Sequence, residues 1–225
     1  MEQDCPPYLK SYRGIEHGTP LLLSLLKEEG IPATFFTTGD VARHYPEMVQ
    51  KIVMEGHELG CHGDTHRRFD QMDLETAQQE IEQATFALRK FYPVISFRAP
   101  NLQFPPHYLS LLEKEGYQLD SSQGKHKWNY FFDPSVKISL HRIPASTTSS
   151  TLRLPKIIRN LLFNRLKNPA VLFVHPWEFV DLTHEPLRLD CRFKTGAPAL
   201  RCLRETIQFF KNKKGKFYRM RDLIL

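Results

Sequence analysis

One ten-residue run carries the densest chemistry in the chain: His57-Glu58-Leu59-Gly60-Cys61-His62-Gly63-Asp64-Thr65-His66. His62 and His66 are four apart, so both imidazoles face one side if the chain turns helically after a strand. Two imidazoles at that spacing are good ligands for zinc or a similar divalent ion. Taken alone, a His-x3-His pair is a weak signal, and two half-buried loop histidines are the plain alternative. Gly56, Gly60 and Gly63 favour the ligand reading, because glycine permits tight turns and close approach to a ligand. A hydrolytic zinc site takes three protein ligands and keeps one position open. The third donor is then a carboxylate near another strand end, with Asp4 the first choice and Glu2 the next.

Three further residues end apolar runs. Arg98, in Phe97-Arg98-Ala99-Pro100, is a charge that needs a carboxylate partner if buried. Asp120, in Leu119-Asp120-Ser121-Ser122, is the matching candidate, and a purely structural ion pair is the alternative. His175 follows Val171-Leu172-Phe173-Val174 and precedes Pro176-Trp177-Glu178. A histidine beside a tryptophan suits a general acid in a partly apolar pocket. Glu178 and Asp181 are close enough in sequence to orient it, or form a solvated loop.

Short apolar runs and amphipathic helices alternate along the chain, and these must position the side chains. Residues 15–28 read as a helix stopped at Gly30-Ile31-Pro32. Ala33 opens a buried strand ending at Gly39, and Asp40 reads as the N-cap of a helix running to Met54. Strands follow at 57–62, 94–98, 117–120, 138–143 and 170–175, with a short one near Phe217. Helices follow from Asp73 to about Lys90, at 106–115, at 153–165 and at 199–213. Six or seven strands alternating with helices imply βα units and a mostly parallel sheet. In a barrel of such units the chemistry sits at the strand C-terminal ends. His62, Arg98, Asp120 and His175 all fall there, so they are expected to converge at one barrel mouth. The segments 121–135 and 179–190 are lids or plain connections.

The chain has 225 residues, 41% hydrophobic and 25% charged, which suits a single folded domain over 1–225. Its four cysteines form no C-x-x-C pair, so a zinc knuckle or thioredoxin-type motif is excluded. No apolar run approaches the roughly 18–20 residues needed to cross a bilayer. The start, MEQDCPPYLK, is acidic and polar where a signal peptide is basic and then apolar. The expectation is a cytoplasmic protein with reduced thiols. The net charge is +6, and six bases fall within residues 211–221. They read as a solvated helix end or as a contact for an anionic surface. No aromatic-basic motif accompanies them, so no nucleic-acid partner is expected.

The ordered set of an acidic start, T-F-F at 34–36, G-H-E-L-G with His-x3-His, R-x-P, a strand-end Asp and L-F-x-H-P resembles the polysaccharide deacetylase family, the NodB-homology or carbohydrate esterase family 4 domain. The resemblance covers nearly the whole chain. It implies an α/β fold, a distorted TIM-like barrel of seven βα units, and a metal-dependent hydrolase that deacetylates or deformylates an N-acylated sugar. Carried over, Asp4, His62 and His66 hold the metal, Zn²⁺ first, with Co²⁺, Ni²⁺ or Mn²⁺ as further options. Arg98 and Asp120 orient the base and the acid, and His175 protonates the leaving amine. Trp177 and Pro100 line the substrate pocket, and Glu2 is the base, unless it exchanges roles with Asp4. The family's first motif carries two acids at the end of a first strand, whereas here almost nothing precedes Asp4. Either the true start lies upstream, or Glu2 and Asp4 share the two roles, or the chain lacks a base. Tyr12-Arg13-Gly14 is similar to a segment of deformylases acting on a lipid-linked amino sugar. A lipid- or nucleotide-linked amino sugar therefore joins the expected substrates, with peripheral membrane contact through the basic C-terminal end. The plain alternative for Arg13 is a salt bridge at a helix start. The rivals are an amidohydrolase on a small non-sugar amide or ureide, and a metal- or carbohydrate-binding pseudoenzyme.

Overall fold

The computed structural model describes residues 12–127, 130 and 138–224. They divide into two compact units, 32–145 with 218–224, and 12–31 with 146–217.

The first unit is built on a parallel sheet of five strands in the order β1-β2-β3-β4-β5. The strands are β1 (Thr34–Thr37), β2 (Glu58–Cys61), β3 (Ser96–Phe97), β4 (Leu119–Asp120) and β5 (His141–Arg142). Every ladder is parallel and joins strands consecutive in sequence. Each connection must therefore cross over, and helices make the crossings from β1 to β2, from β2 to β3 and from β3 to β4. Leu59, Phe97 and Leu119 are fully buried on the strands, as are Ala77, Ile81, Ala84 and Leu88 on the helix Leu74–Leu88. That helix packs the stripe expected from its apolar spacing. Asp73 caps it, its Oδ1 accepting the Thr76 N–H at 2.8 Å. Phe69, Phe97 and Phe104 meet edge-on or tilted, with ring centroids 5.1–5.7 Å apart.

Several sequence expectations need correction. The N-cap after β1 is Thr38, whose hydroxyl accepts from the Val41 N–H at 3.2 Å, and not Asp40. The expected single helix to Met54 is two, Gly39–His44 and Pro46–Met54. Pro46 takes the first position of the second helix and pushes Tyr45 out of the helical region. The 106–115 helix begins as a 3-10 turn at Pro106–Tyr108 and becomes α-helical only over Leu109–Lys114.

In the second unit, a π-helical turn at Gly14–Gly18 leads into the helix Thr19–Glu29, which buries Leu22, Leu23, Leu25 and Leu26. The helix Ala197–Asn212 is tied to it through Glu29, which accepts from Arg204 at 3.0 Å and from Lys211 at 2.9 Å. The apolar segment 170–175 and the residues around Phe217 form no strand. Val171 instead directs its N–H to the Ser146 hydroxyl and its carbonyl to the Ser146 N–H, at 2.9 and 2.8 Å. Its hydrogen bonds thus go to a single loop residue and build no ladder.

Candidate functional site

β2 delivers the histidines. The His62 N–H continues the ladder to the Thr37 carbonyl at 2.9 Å, and its Nδ1 lies 2.5 Å from the Arg98 carbonyl oxygen. A carbonyl only accepts, so Nδ1 carries the proton and the ring lone pair is on Nε2. A carbonyl bonded to one ring nitrogen fixes the tautomer and orientation that a metal-binding imidazole needs. The chain then bends, not as a helix, but through Gly63 at φ 75° and His66 at φ 60°. Both values lie in the left-handed region, which Gly63 occupies without strain. The bend returns the His66 ring to 4.9 Å from that of His62, at 64° between planes.

The residues that hold this bend escaped the sequence reading. Glu80, from the helix Leu74–Leu88, accepts the N–H groups of Asp64 and Thr65 at 3.0 and 2.9 Å, and the Thr65 hydroxyl at 2.5 Å. Asp64 forms a bidentate pair with Arg43 at 2.7 and 2.9 Å. The one local signal was Asp64 and Thr65 lying between the two histidines.

Arg98 directly follows β3 and is buried, 7% exposed. Its Nε donates to the Ser121 carbonyl at 3.2 Å and its Nη2 to the Ser121 hydroxyl at 2.7 Å. The guanidinium lies over the Phe36 ring, 4.4 Å from its centroid. Burial pushes its pKa down to about 10, against the opposing pull of the Asp120 charge. The expected Arg98–Asp120 partnership is therefore electrostatic and not a hydrogen bond. The guanidinium bonded to Asp120 is that of Arg142, at 3.2 Å from Oδ2. Arg142 stands opposite Asp120 in the β4–β5 register. Burial raises the Asp120 pKa, and the bonds from Ser122 and Arg142 only partly offset this. Pro100 is buried at the start of the turn Pro100–Leu102, next to Ala99, whose N–H donates to the Ser122 hydroxyl at 2.8 Å. His62, Arg98 and Asp120 thus share the C-terminal edge of three adjacent parallel strands.

His175 lies in the second unit, in an extended segment and not at a strand end. Glu178 folds back on it: one oxygen, Oε1, accepts from the His175 N–H and from Nδ1, both at 2.9 Å. The other carboxylate oxygen is 2.9 Å from Nε of Arg153. That contact is an ion pair between two buried side chains. Burial pushes the Glu178 pKa up, but the bond and charge of His175 and the charge of Arg153 outweigh it, so the net shift is downward. The His175 ring stacks on Trp177 at 5.3 Å and 16°. Asp181 does not orient His175; it accepts from the Thr183 N–H and hydroxyl at 3.0 and 2.6 Å. Gly18 permits this arrangement, since a Cβ there would lie 1.9 Å from the Pro176 carbonyl oxygen. Arg13 pairs with Glu185 at 3.2 Å, a salt bridge to a distant loop.

Glu2 and Asp4 lie outside the described residues, as does most of the segment 128–135. Among the described residues no three His, Cys, Asp or Glu side chains gather as a metal site. The donor chemistry of the pair still fits a borderline divalent ion, with two adjacent imidazoles and the first of them oriented by a carbonyl.

A family model described as "Polysaccharide deacetylase" matches residues 4–119. A 30.6 kDa protein of Geobacillus stearothermophilus is 28% identical over 156 residues, 60% of this chain and 59% of that one. A chitooligosaccharide deacetylase of Sinorhizobium fredii is 32% identical over 80 residues, 36% of this chain and 37% of its own. The chain thus spans less than two thirds of either relative. Among solved structures, a family 4 carbohydrate esterase from Streptomyces lividans in complex with acetate superposes with a TM-score of 0.63. It is 19% identical, with 89% of this chain and 85% of that one covered. At that identity the likeness concerns the fold.

Proposed function

Since the chain belongs to the polysaccharide deacetylase family, we propose that it hydrolyses the amide of an N-acylated sugar, releasing acetate or formate and a free amine. The observation that carries this reading is the His62–His66 pair, with rings 4.9 Å apart and Nδ1 of His62 set against the Arg98 carbonyl. The Sinorhizobium relative supports the substrate class by its name.

His62 and His66, with Asp4 as third donor, hold a divalent ion, Zn²⁺ first. When bound, that ion supplies Lewis acidity, which makes water nucleophilic near neutral pH and polarises the acyl carbonyl. Everything else falls to the chain's own groups. Glu2 takes the proton of the attacking water, or exchanges roles with Asp4. Arg98 and Asp120 set the field at the strand edge behind the histidines. His175 gives a proton to the departing nitrogen. An imidazole whose Nδ1–H is bonded to a carboxylate exchanges its other proton at Nε2, and Glu178 fixes that geometry. Trp177 and Pro100 are apolar walls for the acyl group. A lipid- or nucleotide-linked amino sugar is the finer form of the substrate, with the basic C-terminal end as a membrane contact.

The test combines metal content with acyl release. Purified protein is expected to hold about one divalent ion and to release acetate or formate from an N-acylated sugar panel including chitooligosaccharides. His62→Ala and His66→Ala are each expected to lose both properties. Full metal occupancy in the double variant refutes the ligand assignment. Metal retention without any acyl release refutes the hydrolase and leaves a binding protein.

A further inference from the structure

The helix Lys156–Phe163 turns one side to the core and leaves an apolar face outward, the reverse of what a globular protein needs. Phe163 and Arg159 point inward, 3% and 1% exposed. Phe163 meets Phe209 and Phe210 of the helix Ala197–Asn212 at 5.7 and 5.3 Å. The opposite face carries Ile157, Ile158, Leu161 and Leu162, exposed by 84%, 49%, 54% and 37%. At ~100° per residue these four cover an arc of ~140° pointing away from the core. Single exposed apolar residues are ordinary, but four on two turns of one helix are not.

The segment itself carries charges of one sign, and the acid beside it, Glu205, is paired with the inward-facing Arg159 at 2.5 Å. Residues 153–167 contain five bases and no acid. Of these, Lys156, Arg165 and Lys167 are exposed. Lys213 bonds the Asn164 side chain, which brings the exposed bases at the end of the helix Ala197–Asn212 beside this helix. Apolar residues on one face with bases at its rim are the pattern of an interfacial helix on an anionic bilayer. A protein partner would have to be acidic and apolar on one surface, whereas an anionic bilayer offers both by construction.

We propose that Ile157, Ile158, Leu161 and Leu162 insert into the headgroup region of an anionic lipid bilayer while the flanking bases contact its phosphates. Two helical turns by themselves give reversible, peripheral binding. The inference is independent of catalysis, and its test reads no turnover.

The full chain is floated with vesicles of phosphatidylglycerol and phosphatidylcholine, 1:1, at low salt, and with phosphatidylcholine alone. Binding to the anionic vesicles is expected, with a loss of about tenfold on neutral vesicles or at high salt. Ile157→Ser/Leu161→Ser is expected to lose about tenfold or more on anionic vesicles. Both side chains are exposed, so its thermal midpoint should match the parent, and a shared midpoint excludes misfolding as the cause. Lys156→Gln/Arg165→Gln/Lys167→Gln is expected to weaken binding and flatten its salt dependence. The proposal is overturned if the parent does not float, or if Ile157→Ser/Leu161→Ser binds as well as the parent. It is equally overturned if the parent sediments as a dimer that this double variant dissociates, because the face then belongs to a second copy of the chain.

Discussion

Asp120 is 1% exposed, and its pKa is raised chiefly by burial. The folded state therefore binds a proton more readily than the unfolded chain, whose aspartates titrate near ~3.9. Stability from this source is fully present below the unfolded value and declines as pH rises through the folded one. Asp120→Asn keeps an acceptor for Ser122 and removes the ionisation. Its Tm relative to the parent is expected to climb between pH 4 and pH 7, and a flat or falling difference refutes the linkage. His175 is tested by its leaving group. His175→Ala is expected to cut amide hydrolysis by about 10²–10⁴, while metal content stays near that of the parent. An activated aryl ester, whose leaving group needs little protonation, is expected to retain most of its rate. Equal losses on amide and ester would make His175 a structural residue.

The helix Leu74–Leu88 holds the bend between the two histidines by a polar side chain. It acts through Glu80, whose carboxylate receives two backbone N–H groups and one hydroxyl of the 63–66 bend. Glu80→Ala keeps the helix, since alanine is the strongest helix former. It leaves the buried Asp64 N–H and the Thr65 N–H without that acceptor, at about 1–3 kcal/mol for a buried group. Zinc affinity, read by competition with a chromophoric chelator, is expected to fall by about 10–100-fold, as when a group that orients metal ligands is removed. An unchanged affinity with a lowered Tm would make Glu80 a stability residue only.

At the scale of the molecule, the two ends of the strands in the first unit carry different groups. At the N-terminal ends, Glu58, fully buried, accepts from Thr34 and Ser96 at 2.6 Å each and from the Arg221 N–H at 3.0 Å. The Met220 N–H donates to the Thr34 hydroxyl at 2.8 Å. These bonds dock the last residues of the chain onto the sheet. At the opposite ends stand His62, Arg98 and Asp120. Glu58→Ala is expected to lower unfolding stability by at least about 1–3 kcal/mol, because buried donors lose their acceptor. Zinc affinity should stay within about twofold of the parent, and a larger loss would show that the two ends are not independent. No helix among the described residues is long and apolar enough to cross a membrane.

What the sequence determined by itself was local. The parallel α/β class followed from alternating apolar runs and helical stripes, because side-chain period and burial are set residue by residue. The Asp73 cap, the stop at Gly30 and the place of His62, Arg98 and Asp120 at strand ends followed from residue type and position. Tertiary structure decided the partners. Arg142 reaches Asp120 through a cross-strand register 22 residues away, and Glu80 reaches the histidine bend from a helix face. Val171 bonds to Ser146 and not to a neighbouring strand, although an apolar run reads alike in both settings. Spacing along the chain cannot specify such pairs, because hydrogen bonds between distant segments depend on how those segments pack.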